Sequence, residues 1–225
     1  MKVLLSDFYV YIRVENRFDL LRNAVDSIPE FHNLLTIVDN SPKGLTGEWP
    51  CTVYHPPVPL TFTQTHNWWF ANARGRGAKF IIWMHADAEA VDGGHIRLVE
   101  WALTETRKWY TLWTSYDAMA AVNLKAIEEV GGYDTHIEKY TCDNDLTWRM
   151  RLAGWPPIDT GIFTKHLGSS TIKSDPQLLF LNDIVHGLST EYYKRKWGGL
   201  PEHERFTVPF NRPDLFPDLK PVGVW

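Results

Sequence analysis

The sequence predicts an α/β fold: a mixed, mostly parallel sheet flanked by helices, with a C-terminal helix and an irregular tail. Three observations lead there. Short apolar runs alternate with amphipathic stretches through the first half, the order that parallel strands with helical crossovers impose. The runs at 34–38 and 80–84 are apolar on both faces, as strands buried between two helix layers must be. The chain has 225 residues, 44% hydrophobic and 22% charged, enough to bury one large core without disulfide support.

Taken in order, Val10, Ile12 and Val14 alternate with Tyr11 and Arg13 in a first strand ending near Asn16. Phe18, Leu21, Val25 and Ile28 recur at helical steps until Pro29 stops them. A second strand, 34–38, breaks at Asp39-Asn40-Ser41-Pro42. After a Pro-rich loop, a helix over 63–78 leads into a third strand at 80–84. The second half changes character: a helix over 96–108, then short runs at 109–114 and 118–122 that can pair antiparallel. Helices over 124–130 and 145–153 follow, the latter ended by Gly154. A strand over 158–163 and a helix over 177–196 complete the pattern. This gives a catalytic domain over 1–175, with halves 1–90 and 91–175, and a C-terminal helix and tail over 176–225 packed on it.

Lys and Arg total 23 against 27 Asp and Glu, a net charge of −4, so no general basic excess advertises nucleic acid. The two cysteines, Cys51 and Cys142, exclude a disulfide scaffold or a thiolate metal site. No stretch approaches the roughly 20 apolar residues of a membrane span. The expectation is a soluble, cytoplasmic protein. The 11 tryptophans are the compositional oddity; Trp68, Trp69, Trp83, Trp101, Trp109 and Trp113 lie in predicted elements and read as packing residues.

In open α/β sheets, ligands sit at the carboxyl ends of strands. Three such ends are polar: Arg13 to Arg17, Asp39-Asn40-Ser41 and His85-Ala86-Asp87-Ala88-Glu89. Caps and turns favour the same residue types, and the convergence of three favours a site. His85 and Asp87 can share one divalent ion, oxygen donors favouring Mg²⁺ or Mn²⁺ and imidazole shifting the choice toward Mn²⁺. Glu89 continues that spacing. Asp143 and Asp145 open a predicted helix; Asp145 suits the helix dipole, whereas Asp143, one step outside, is placed to act as a general base. His166 follows a strand.

In this order the pieces resemble the inverting, family-two glycosyltransferases of the GT-A fold, in the rhamnosyltransferase-like branch, over about residues 8–170. The resemblance rests on Asn16-Arg17, on Val38-Asp39-Asn40-Ser41, on Asn67 with Ala73, Gly77 and Ala78, and on His85-Ala86-Asp87 in place of an Asp-x-Asp. It continues through Gly131-Gly132-Tyr133-Asp134, Asp143-Asn144-Asp145-Leu146 with Arg149 and Gly154-Trp155, and His166, and Tyr193 to Gly198 resembles a segment that follows the catalytic domain in some relatives. The 20 residues from Asn67 to Asp87 match the rhamnosyltransferase-like branch. His85 departs from the family's first aspartate, and Cys142 from its usual glutamate.

The resemblance implies transfer of a sugar from a nucleoside-diphosphate donor, a UDP-sugar favoured, to an acceptor hydroxyl on a glycan, lipid, protein or modified nucleic-acid base. It implies Asp143 as base, and Arg13, Asn16, Arg17, Asp39, Asn67 and Asp87 around the nucleotide sugar, Asp39 on the nucleobase. Asp87, His85 and His166 would hold Mn²⁺ or Mg²⁺, and Asp145, Trp148 and Trp155 would lie on the acceptor side, near Trp197. Lys165, Lys173, Lys194, Arg195 and Lys196 would line a positive channel if the acceptor were nucleic acid. The C-terminal region could cover the acceptor cleft or form a homodimer contact. Two other readings fit the same residues: a nucleotide-sugar or glycan-binding module with weakened catalysis, and a nucleotidyltransferase.

Overall fold

The computed structural model describes residues 7–168 and 176–215. Its main sheet has seven strands in the order β3-β2-β1-β4-β7-β6-β8. These are β1 (Phe8–Val14), β2 (Leu35–Asp39), β3 (Thr52–Tyr54), β4 (Phe80–His85), β6 (Thr111–Trp113), β7 (Met119–Asn123) and β8 (Pro157–Asp159). Only β7 runs against the rest, antiparallel to both β4 and β6. A two-stranded ribbon pairs β5 (Ala88–Ala90) with β9 (Thr164–His166). The mixed, mostly parallel sheet is the one the apolar runs predict.

Helices cover both faces. Along β1, Val10, Ile12 and Val14 enter one core with Leu21, Ala24 and Val25 of α1 (Phe18–Asp26) and Leu98 and Val99 of α3 (Gly94–Thr104). Tyr11 points the other way, into a second core with Trp69, Phe70 and Ala73 of α2 (Phe62–Gly75), Ile127 of α4 (Leu124–Val130) and Leu146 and Met150 of α5 (Cys142–Leu152). The two-residue alternation of a strand thus divides one sequence between two layers. β2 is buried along its whole length, as a central strand covered on both faces must be.

Local chemistry sets several boundaries. Thr61 and Gln64 form a reciprocal capping box that starts α2. Asn123 accepts the Lys125 N–H at 3.0 Å and starts α4. The segment expected as one strand over 158–163 is split: Gly161, at φ 65°, turns the chain so that β8 and β9 join different sheets. The helix expected from residue 145 begins at Cys142 instead, because Thr141 adopts a left-handed φ of 51° and its carbonyl accepts the Asp145 N–H at 2.9 Å.

The last helix, α6 (Pro176–Trp197), docks through its second half. Tyr193 and Trp197 join Ile137 and Cys142 in a small third core. Lys196, 6% exposed, bonds Asp134 at 2.6 Å and Asp145 at 2.7 Å. Gly198, with φ 75°, then reverses the chain, and a Cβ there would meet the Phe206 ring at 2.9 Å. No helix among the described residues is long and apolar enough to cross a membrane.

Candidate active site

The strand order reverses beside β1: β2 lies on one side and β4 on the other. At such a switch point the following connections diverge and leave a crevice at the carboxyl ends of the strands. A cleft of about 350 Å³ opens there. Arg13 and Glu15 enter it from β1, His85 and Asp87 from β4, Asp117 from the turn after β6, and Asp143 from α5. Lys139 borders it on the approach to α5, and His166 on β9. Its inner wall is aromatic, with Phe62, His66, Trp69, Trp83 and Tyr133.

The β5–β9 ribbon brings His85, Asp87 and His166 together. Its register sets Ala88 opposite His166, and the Leu167 N–H donates to the Asp87 carbonyl at 3.1 Å. His166 Nε2 then lies 3.2 Å from Asp87 Oδ1, and the His85 and His166 rings stack at 5.0 Å. One ligand atom from each residue lies within 4.8 Å of the others. Burial, reinforced by His166, pushes the His85 imidazole down to about 4, so it is neutral near pH 7 and offers a lone pair. His166 is raised by its hydrogen bond to Asp87. Two imidazoles and one carboxylate fit Mn²⁺ or Mg²⁺, with the nitrogen content favouring Mn²⁺.

Asp143 occupies the first turn of α5 and lines the same cleft. Burial raises its carboxyl above the ordinary range, opposed by backbone N–H groups of that turn. A second carboxylate shares the cleft. Asp117, at φ 47° in a short 3-10 turn, is pushed up to about 6 by burial and then by Asp143. It follows β6, so the strand-end rule that selected His85 would have found it. His66 was also passed over, since a histidine inside a helical repeat gives no such signal. It is fully buried, with its ring pushed down to about 3 by that burial.

No protein-family model matches the sequence, and no curated protein does. Solved structures do resemble the chain. A mannosyltransferase from Pyrobaculum calidifontis, in complex with GDP-Man and Mn²⁺, matches with a TM-score of 0.52 at 13% identity, covering 85% of this chain and 71% of its own. S. aureus TarS 1–349 matches with a TM-score of 0.55 at 8% identity, covering 93% and 74%. The same TarS fragment in complex with UDP matches equally well. The chain has the GT-A glycosyltransferase fold. At these identities the likeness is one of fold.

Within that GT-A framework, several residues chosen from sequence sit elsewhere than expected. Arg13 reaches the cleft, held by Glu15 and by a 3.2 Å bond to the Leu60 carbonyl. Asn16 is half-buried, its Oδ1 without a hydrogen-bond partner among the described residues. Arg17 points to solvent and pairs with Asp19 at 2.8 Å. Asp39 is 1% exposed, and its carboxylate already accepts the Ser41 and Leu45 N–H groups and contacts His55 at 3.1 Å. These bonds hold the loop after β2. Asn67 is a clamp: its amide donates to the Tyr133 carbonyl at 2.9 Å and accepts the Tyr133 N–H at 2.8 Å. A Cβ on Gly132 would fall 2.2 Å from Asn67 Oδ1, so the glycine is sterically required. Asn67 therefore ties α2 to the turn before α5 rather than facing a nucleotide.

The acceptor-side expectations need similar correction. Asp145 has no exposed surface; it bonds Arg149 Nε at 2.9 Å, the Trp197 indole N–H at 2.8 Å and Lys196. Trp155 is 4% exposed in the second core, with Lys108 over its ring. Trp148 donates its indole N–H to the Phe206 carbonyl at 3.1 Å, beneath the tail, and Trp197 is buried beside it. All four are folding residues here. Glu89 pairs with Lys165 at 2.9 Å and is not among the residues whose ligand atoms converge at the triad. The expected positive channel also dissolves: Lys165 is paired, Lys196 is buried, Lys194 and Arg195 pair with Glu191, and Lys173 lies outside the described residues.

Proposed function

We propose that the protein is a metal-dependent, inverting glycosyltransferase that moves a sugar from a nucleoside diphosphate, favoured as a UDP-sugar, to an acceptor hydroxyl. The observation that carries this reading is the triad His85–Asp87–His166 and the carboxylate Asp143 lining one cleft at the switch point of the sheet. The GDP-Man, Mn²⁺ and UDP in complexes of the neighbouring folds support it. A divalent ion on the triad would neutralise charge on the diphosphate. The chain's own part in the reaction is proton removal and positioning. Asp143 takes the acceptor hydroxyl proton, the acceptor oxygen bonds to the anomeric carbon, and the bond to the diphosphate oxygen breaks with its electron pair. Attack from the face opposite the leaving group inverts that carbon. Burial, which raises the Asp143 carboxyl, strengthens it as a base.

The acceptor hydroxyl in this reading belongs to a glycan, a lipid, a protein or a modified nucleic-acid base. The first half of α6 exposes Phe180, Leu181, Ile184 and Leu188, a surface that suits the expected homodimer; equilibrium sedimentation measures it. The test of function is a thermal-shift panel of UDP, GDP and their sugars with Mn²⁺ or with chelator, followed by product analysis. Ion-dependent stabilisation by one nucleoside diphosphate, with its release on transfer, is expected. Pyrophosphate release would mean nucleotidyl transfer, and binding without turnover would mean a binding module.

A further inference from the structure

The cleft holds one cation that no ion pair occupies among the described residues. Lys139 lies on the connection from the Gly131–Asp134 turn to α5 and lines the cleft beside Arg13, Glu15 and His85. Its ammonium contacts the Tyr140 ring, 5.5 Å from the centroid. Arg13, the other cleft cation from this side, is already bound to Glu15. Lys139 thus shares one cleft lining with His85, Asp87 and His166.

The segment carrying it is held in an unusual shape. Tyr140 and Thr141 are consecutive left-handed residues, with φ of 52° and 51°, a conformation that side chains disfavour. Contacts with α6 maintain it: the Tyr140 hydroxyl donates to Asn182 at 2.5 Å, and the Thr141 hydroxyl to the Ser189 carbonyl at 3.3 Å. Such strain, held by surrounding structure, concentrates at functional sites.

A sugar nucleotide carries one negative charge on each phosphate, and breaking the glycosidic bond adds a further charge beyond what a divalent ion neutralises. From these observations we infer that Lys139 is a phosphate-binding residue, the second cation on the donor's diphosphate beside the His85–Asp87–His166 triad. The inference rests on the glycosyltransferase reading above.

Isothermal titration of the full chain with Mn²⁺ alone, and with inorganic pyrophosphate in saturating Mn²⁺, tests it without naming the sugar or base. Lys139→Met should weaken pyrophosphate binding about ten- to hundredfold, the effect of one lost charge-assisted hydrogen bond. Mn²⁺ affinity alone should stay within about twofold, and Lys139→Arg should restore most of the loss because it keeps the charge. Thermal melting of each variant checks that it is folded. Parent-like pyrophosphate binding by Lys139→Met overturns the assignment while leaving the glycosyltransferase reading intact. An equal loss of Mn²⁺ affinity overturns it too, since the lysine would then act through the metal site. A parent protein that binds neither Mn²⁺ nor its pyrophosphate complex overturns both readings.

Discussion

Replacing Lys196 with Met tests how far α6 is part of the domain. The side chain is 6% exposed and its ammonium bonds two carboxylates, Asp134 at 2.6 Å and Asp145 at 2.7 Å. Methionine keeps most of the apolar stem and removes the charge. Asp145 would retain Arg149 and the Trp197 indole, whereas Asp134 would keep the Tyr192 hydroxyl, the His136 backbone N–H and the exposed His136 ring. Breaking a buried pair while leaving its partners in place costs about 3–5 kcal/mol. In a chain of this size each kcal/mol lowers Tm by about 2–4 °C, so Lys196→Met should melt about 6–20 °C below the parent. Urea denaturation at pH 7 measures the free energy directly. Adding Asp134→Asn should recover part of the loss, because it removes the carboxylate left without its cation. Burial alone would raise the Asp134 carboxyl, yet Lys196 holds it well below the usual range. Its contribution is therefore complete above the unfolded carboxylate value near 4 and is lost as pH falls through the lower folded value. The difference between parent and variant should shrink on acidification. A loss under about 1 kcal/mol, or a difference that grows toward acid, would refute the reasoning.

Other expectations concern the cleft. Asp143→Asn should preserve Mn²⁺ and nucleotide binding while turnover falls about 10²–10⁴-fold, measured by product release; unchanged turnover removes Asp143 from the base role. Asp87→Ala should abolish the Mn²⁺ dependence of nucleotide binding in calorimetry, and equal affinity in chelator would exclude the triad as a metal site. Since the base acts when deprotonated and burial raises its carboxyl, kcat/KM should fall on the acid side at a pH above the ordinary aspartate range. Gly132→Ala should cost about 1–3 kcal/mol by overpacking against Asn67. Asn67→Ala in that background should relieve the clash, so purely additive losses in chemical denaturation would count against it.

Much of the sheet was readable because burial on two faces leaves a continuous apolar run, as at Leu35–Asp39 and Phe80–His85. His85 and Asp87 were readable because they stand at the end of such a run, whereas His166, at the end of β9, entered through the family resemblance. What the pattern of residue types cannot distinguish is a polar group that serves a ligand from one that serves the backbone. Asp39 and Asn67 stand where ligand residues stand in the GT-A resemblance, yet their hydrogen bonds close a loop and clamp a turn. Asp145 fits the helix-dipole reading made for it, but its partners come from Arg149 and α6, the latter about 50 residues on. Trp155 lies in the second core, and an aromatic ring looks the same in sequence whether it faces a sugar or a core. Lys139 escaped because it sits in irregular backbone, where no periodicity announces which way a side chain will face, whereas Asp117, after β6, lay within reach of the strand-end rule.

The β5–β9 ribbon joins only three residues to three, and so short a pair has little stability of its own. An ion grasping Asp87 and His166 would fasten the two edges of this ribbon from opposite halves of the polypeptide. At a hundredfold excess over its dissociation constant, that fastening contributes about 2.7 kcal/mol. The Leu167 amide, bonded to the Asp87 carbonyl, thereby becomes a natural reporter: its hydrogen-exchange rate should slow on loading and quicken on chelation, reading occupancy with no substrate present.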